Sequence, residues 1–286
     1  MITIPCPLCG SPRYDRLSSK GQFNFPTHVS ICKDCGFVYL NPRWSKFEYE
    51  DFNSTKYGYF FGSKKKPKNH AKAKQITDRI GVHVANTILE VGAGDGRNLE
   101  YFRSVNPHAR FYGIEISEEC RSTLKQTGIS LVARDVDEDW ESGYASIFDI
   151  VILRHTLEHF LDPVHILKKV TNVLKKDGVV YIAVPDMLNP KPPLTDYWFR
   201  VVHVNYFSAE TLKMAAQKAS LQPIKLISEN HELWGIFKRG KVDIEQHNTY
   251  HLQKKIIQSK LERETSISYR VNNLYQKIKR MLCSFS

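Results

Sequence analysis

The sequence predicts an α/β fold, a mostly parallel sheet with helices on both faces. Three observations predict it. Between residues 81 and 240, apolar runs of strand length alternate with longer segments of helical periodicity. The first run ends in the glycine-rich turn Gly92-Ala93-Gly94-Asp95-Gly96, where a strand passes into a helix. The last two runs lie too close for a crossover helix between them, so they pair as an antiparallel hairpin.

The elements follow in order. Strands are expected at Thr87–Val91, Arg110–Ile116, Ile129–Ala133, Phe148–Leu153 and Val179–Val184, with the hairpin formed by Ile224–Ser228 and Leu233–Lys238. Helices are expected at Asn69–Ile80, Gly96–Val105, Pro163–Leu174 and from Ser208 to Ala219. Ser117 and Ser208 are the residue type that caps a helix start, and Glu118 and Glu119 stand where the helix dipole favours acids. Gly178 is expected to end the helix before the fifth strand.

Four segments result: a cysteine-rich module over 1–44, a linker and helical lid over 45–80, the alternating domain over 81–240, and a basic amphipathic helical tail over 241–286. The 286 residues, 42% of them hydrophobic and 25% charged, have the make-up of a globular protein able to bury a core. No apolar run reaches the length of a membrane span, and the N-terminus lacks the pattern of a secretory leader, so a cytoplasmic location is expected. The net charge of +11 favours an anionic partner without choosing among nucleic acid, membrane surface and phosphorylated substrate.

The glycine turn separates two ligand classes. Dinucleotide binding needs Gly-x-Gly-x-x-Gly and offers a helix N-terminus to a pyrophosphate. Here the spacing is Gly-x-Gly-x-Gly and Arg97 occupies the third-glycine position. Glu90 precedes the turn and Glu115 ends the second strand, 19 residues after Gly96. Two acids repel a pyrophosphate and suit a ligand that carries an amino group, a sulfonium and a ribose, whose hydroxyls Glu115 would accept.

The loop ILEVGAGDGRNL, the acid in YGIEIS and the stretch FDIVILRHTLEHFLDPVHILKKVTNVLKKDGVVYIAVPD together resemble class I S-adenosylmethionine-dependent methyltransferases over residues 81–240. The resemblance implies a Rossmann-like, seven-stranded, mostly parallel sheet with its last strand reversed. It implies that Gly92, Gly94 and Gly96 flank the methionine part of S-adenosylmethionine, with Glu90 beside the loop and Glu115 on the ribose. It also implies that Asp135 accepts from the adenine amino group, that Val136 lies beside the ring, and that Arg154 lies near the methionine end.

Cys6-Pro-Leu-Cys9 and Cys32-Lys-Asp-Cys35 are two Cys-x-x-Cys pairs, each followed by glycine and separated by 22 residues. Four thiolates complete a tetrahedral structural zinc site, and a segment this short needs such a metal to fold. A ribbon of this kind ahead of a methyltransferase domain resembles a bacterial group associated with sugar and cell-surface polysaccharide biosynthesis. Zinc ribbons also precede some ribosomal RNA methyltransferases.

Methyl transfer to a hydroxyl or a carbon acid requires removal of a proton. The candidates are His155, Glu158 and His159 after the fourth strand, and His203 in the loop after the fifth. Three readings stand open: a histidine general base tuned by Glu158, a divalent cation held by the four residues, or a helix start with no chemistry. The cation pattern is similar to metal-dependent O-methyltransferases of quinone biosynthesis and of small-RNA 3′ ends, which carry an acid where His155 stands. Tyr57, Tyr59, Tyr197 and Trp198 are candidate pocket aromatics, and Lys64-Lys65-Lys66-Pro67-Lys68 is a basic run.

In the tail, Ile267, Val271, Leu274, Ile278 and Met281 form one apolar stripe on a basic helix. Such a helix packs on its own domain, pairs with a second copy as a homodimer, or lies on an anionic membrane at its inner face. The expected function is methyl transfer to a sugar or glycan acceptor. RNA methylation and donor binding without turnover are the alternatives.

Overall fold

A computed structural model describes residues 1–56, 59–60, 70–240 and 247–266. Tyr57, the lysine run Lys64–Lys68 and the apolar stripe from Ile267 to Met281 lie outside these residues.

The seven-stranded sheet runs β10-β11-β8-β7-β4-β5-β6. Its strands are β4 (Thr87–Val91), β5 (Arg110–Ile114), β6 (Ser130–Ala133), β7 (Phe148–Arg154), β8 (Leu174–Pro185), β10 (Leu221–Glu229) and β11 (Glu232–Arg239). Strands β4 to β8 pair in parallel, while β11 lies antiparallel to both β8 and β10. This is the expected reversed strand and hairpin. All five residues of β4 are buried because helices cover both faces, which is why the central strands read as unbroken apolar runs. On one face lie α2 (Ala71–Ile80), α3 (Arg97–Val105) and α4 (Glu118–Gln126), whose Ile76, Leu99, Phe102 and Leu124 pack against Ile88, Ile150 and Ile152. On the other face, α5 (Pro163–Val173) and α6 (Ala209–Lys218) pack Leu167, Val170 and Leu212 against Leu89, Val151 and Leu153.

Local chemistry sets the boundaries. The Ser117 side chain accepts the Cys120 N–H, and Ser208 caps α6 with Thr211 in a reciprocal pair. The hairpin turn Asn230-His231 has positive φ at both residues, the conformation that matches strand twist, and it delivers Glu232 to the start of β11. Gly178 does not end a helix. Helix α5 stops at Val173 and β8 begins at Leu174, so Gly178 sits inside the strand. Its missing side chain serves close approach, since a Cβ there would lie 2.9 Å from the Phe148 carbonyl oxygen.

The cysteine-rich module forms a second sheet, ordered β1-β2-β3-β9. Strands β1 (Tyr14–Ser18), β2 (Val29–Cys32) and β3 (Val38–Leu40) come from the module, whereas β9 (Asn205–Tyr206) comes from the α/β domain. Helix α1 (Lys46–Thr55) follows, closed by a capping box between Ser45 and Glu48. Helix α7 (Tyr250–Thr265) packs back on the module: Ile257 is buried, Thr249 donates to the Cys35 carbonyl at 3.0 Å, and Tyr250 and Lys254 both reach Asp15. Among the described residues no helix is long and apolar enough to cross a membrane.

Candidate active site

The strand-to-helix turn after β4 holds Gly92, Gly94 and Gly96, all at positive φ. Two of them are glycine because packing demands it. A Cβ on Gly92 would lie 2.1 Å from Thr156 Cγ2, and one on Gly96 would lie 2.6 Å from Leu124 Cδ2. Gly94 faces open space, with nothing within 4 Å of a Cβ built there. The turn is held from the neighbouring strand: the Glu115 carboxylate accepts the Gly94 N–H at 2.7 Å and the Ser117 N–H at 2.8 Å.

Glu90 is 3% exposed and accepts one bond, from Asn98 Nδ2 at 2.7 Å. Its second oxygen is buried without a partner. Burial pushes this carboxyl up to about 7, against the opposing pull of the Asn98 bond and of Arg154. An orphaned acid beneath a glycine turn has the charge and the free acceptor that an ammonium group requires. Both carboxylates sit at the carboxyl ends of adjacent parallel strands, where open α/β sheets bind their ligands.

The second cluster follows β7. His155 has φ of +53°, a left-handed conformation that costs a non-glycine residue energy and accumulates at functional sites. A short 3-10 turn, Leu157–His159, then presents Glu158 and His159. Glu158 is 1% exposed, and neither of its oxygens has a hydrogen-bond partner. The nearest cationic candidates are His155 Nδ1 at 3.5 Å and His159 Nε2 at 3.8 Å. Burial works to raise the Glu158 carboxyl, yet the neighbouring imidazoles, His155 first and then His159, hold it at about 2.

His159 Nδ1 lies 2.8 Å from the Val202 carbonyl oxygen, which makes that nitrogen the donor and turns Nε2 toward Glu158. His203 is buried, meets the His159 ring edge-on at 4.9 Å, and is held neutral, its pKa driven well below the usual range by burial and then by His159. Ligand atoms of Glu158, His159 and His203 all lie within 4.8 Å of one another. His155 does not join that trio. Its Nε2 turns to Glu232 Oε2 at 2.8 Å, and Arg154 Nη2 reaches the same oxygen at 2.8 Å.

Glu232 is the residue that sequence reading missed. It lies 78 positions beyond Arg154 and becomes a neighbour only because β11 inserts, reversed, beside β8. Burial would raise its carboxyl, but His155 and Arg154 hold it at about 2. The surviving signal was an acid at the turn of a predicted hairpin. Lys169 was missed as well. It is buried on α5 and donates to the carbonyls of Val136, Asp137 and Glu138, fixing the loop after β6. In that loop Val136 is buried, while the Asp135 carboxylate accepts the Asp137 N–H at 3.0 Å. Of the aromatic candidates, Trp198 is buried in the core shared with β3, and Tyr59 is exposed.

In the cysteine module, Cys6, Cys9, Cys32 and Cys35 bring four sulfurs within 4.8 Å of one another. Cys6 and Cys35 sulfurs are 3.7 Å apart, and Cys9 and Cys32 sulfurs 3.5 Å. A zinc tetrahedron with bonds of about 2.3 Å has sulfur–sulfur edges of about 3.8 Å, so the set fits that ion. Each knuckle closes through glycine at positive φ, with Gly10 donating to the Cys6 carbonyl and Gly36 to that of Cys32.

A Rossmann-like seven-stranded sheet with its last strand reversed, and a glycine turn at the end of its first strand, is the architecture of methyl-transferring proteins. The chain belongs to the methyltransferase-domain family, whose model matches residues 52–226. It is 23% identical over 215 residues to the C-methyltransferase NovU of Streptomyces niveus, a match that takes in 72% of this chain. The chain spans about half (49%) of that relative's length. Among solved structures, it is similar to the 1,6-didemethyltoxoflavin-N1-methyltransferase of Burkholderia thailandensis, with a TM-score of 0.53 and 19% identity over 72% of this chain and 96% of that one. The mitomycin 7-O-methyltransferase MmcR superposes with a TM-score of 0.50 and 17% identity, over 59% of this chain and 53% of that one. Both share the fold.

Proposed function

We propose that the chain transfers a methyl group from S-adenosylmethionine to a carbon or hydroxyl of a sugar in nucleotide-linked or cell-surface glycan biosynthesis, with a structural zinc on its four cysteines. The observation that carries the donor assignment is the buried, unpartnered Glu90 oxygen beneath a glycine turn whose far side is held by Glu115. When bound, S-adenosylmethionine supplies an electrophilic methyl on a positively charged sulfur. Glu90 would receive the amino group, and Glu115 keeps acceptor capacity for ribose hydroxyls beyond its two backbone bonds. The open space at Gly94 leaves room for the methionine portion.

The acceptor proton falls to the turn after β7. With Nδ1 committed to the Val202 carbonyl, His159 Nε2 is the free base, and the ionised Glu158 stabilises the imidazolium that forms. The new bond joins methyl to acceptor, the sulfur–methyl bond breaks, and the proton rests on His159. The naming of NovU as a C-methyltransferase supports a carbon acceptor here.

A second reading keeps the reaction and changes the device: Glu158, His159 and His203 hold a divalent cation that lowers the acceptor's pKa. The lack of any hydrogen bond to either Glu158 oxygen favours it. Calorimetry with S-adenosylmethionine and with a nicotinamide dinucleotide tests the donor, and heat from the dinucleotide alone would sink the assignment. Transfer of labelled methyl into nucleotide-linked sugars tests the acceptor, with RNA as the competing pool. Activity that survives thorough chelation and ignores added Mn2+ rejects the cation.

A further inference from the structure

The cysteine module touches the α/β domain at one place that matters for the histidine cluster. Strand β3 begins three residues after Cys35 and pairs with β9, Val38 opposite Tyr206 and Tyr39 opposite Asn205. The Leu40 N–H extends the pairing to the Val204 carbonyl at 3.0 Å. Phe37 and Phe207 pack at 5.2 Å beside the pairing. The chain that carries Val202 and His203 therefore enters a sheet whose other strands all belong to the cysteine module.

Two side chains carry the hold across to the other half of the cluster. Asn205, 1% exposed, donates from Nδ2 to the Phe160 carbonyl at 2.7 Å. Arg43, three residues past β3 and buried, donates from Nη1 to the Leu161 carbonyl at 3.1 Å. Phe160 and Leu161 directly follow His159. Between the segments bearing Glu158–His159 and His203, the direct bond is from His159 to the Val202 carbonyl.

We infer that Arg43 and Asn205 are positioning residues. They bracket the turn after β7 against the His203 segment, and the cysteine module thereby sets the spacing of Glu158, His159 and His203. Neither side chain needs to touch donor or acceptor. The bracket acts whether the trio works as a base or as a cation site, and its catalytic consequence rests on the reading given under Proposed function. Removing either donor leaves a part-buried backbone carbonyl without that partner and lets the turn drift. A displacement of about 1 Å at a reacting group costs about a hundredfold in rate.

Full-length Arg43→Met and Asn205→Ala variants test this, with Lys254→Ala as a control that breaks a different contact of the same module. Hydrogen exchange is read at the amides of 157–161 and 202–206. Both variants are expected to exchange at least about tenfold faster there, to bind S-adenosylmethionine as the parent does, and to lose about a hundredfold in kcat with a smaller change in KM for the acceptor. Lys254→Ala is expected to leave that exchange unchanged. Unaltered exchange in both bracket variants would overturn the inference, as would acceleration spread evenly over the whole chain. Because exchange is measured without turnover, failure of the parent to transfer methyl would count against the proposed function and leave the bracket to be judged separately.

Discussion

Glu232, at the first position of the reversed strand β11, lies 2.8 Å through Oε2 from both His155 Nε2 and Arg154 Nη2. One carboxylate from the C-terminal half of the domain thus fixes two consecutive side chains at the tip of β7. His155 is the one with the left-handed backbone, so Glu232 opposes whatever tendency that residue has to relax.

The Glu232→Gln variant should be less stable by about 3 kcal/mol at neutral pH, since the Arg154 guanidinium and the His155 ring lose their buried carboxylate partner. The sign of the pH dependence follows from the carboxyl's folded value of about 2, below its ordinary value. A depressed acid contributes stability above its unfolded pKa of about 4.3 and loses it as pH falls toward 2. Urea unfolding of the parent between pH 7 and 3 should show that loss, and the variant should show a shallower one. Parallel curves would deny Glu232 its role.

Glu90 predicts the opposite proton linkage. Its carboxyl sits at about 7 because it is buried, so near neutral pH it is partly protonated. A ligand ammonium placed against it favours the ionised form, and binding then expels a proton. Affinity for S-adenosylmethionine should rise with pH up to about 7. Titration heats at pH 6.5 should differ between buffers of different ionisation enthalpy. The Glu90→Gln variant should bind at least about tenfold more weakly and without buffer dependence, because its amide cannot match the charge. Buffer-independent heats in the parent would contradict the assignment.

These groups show where sequence reading reaches and where it stops. The alternating runs located every strand of the large sheet because central parallel strands are buried on both faces, and Ser117 and Ser208 marked real caps. The glycine turn and its two acids were legible because strand ends and turn chemistry are local. Gly178 was misread because a glycine after a helical run signals a stop as readily as a close approach. His155 stands with Glu158 and His159 in the sequence, but the 3-10 turn is only three residues long and His155 precedes it in a left-handed conformation. Glu232, Lys169 and the pairing of β3 with β9 depend on tertiary neighbours with no sequence proximity to report them.

Two glycines of the turn should separate folding from binding. In Gly92→Ala, a Cβ would meet Thr156 Cγ2 at 2.1 Å in a backbone of positive φ, so both stability and donor binding should fall. In Gly94→Ala the Cβ meets nothing within 4 Å, and the cost to the fold is the left-handed conformation alone, about 1–2 kcal/mol. The methyl would nevertheless occupy the space assigned to the donor. Gly94→Ala should therefore keep most of the melting temperature and lose most of the calorimetric binding, and an intact binding isotherm would move the donor away from the turn.

Metal removal tests how far the cysteine module is part of the whole. Cys6, Leu8, Cys32, Cys35, Phe37 and Tyr39 share a continuous buried cluster with Leu89, Val151, Leu153 and Phe207 of the α/β domain. A module with its own separate core would melt alone when stripped. With a shared core, loss of the metal should weaken both parts in one transition. A thiol-reactive mercurial that displaces the metal, or a Cys9→Ser variant, is expected to lower Tm by about 10 °C or more while scanning calorimetry still shows a single peak. Zinc added back after thiol rescue should restore the parent Tm. Two resolved peaks, with the donor-binding peak unmoved, would show that the module folds apart from the domain it abuts.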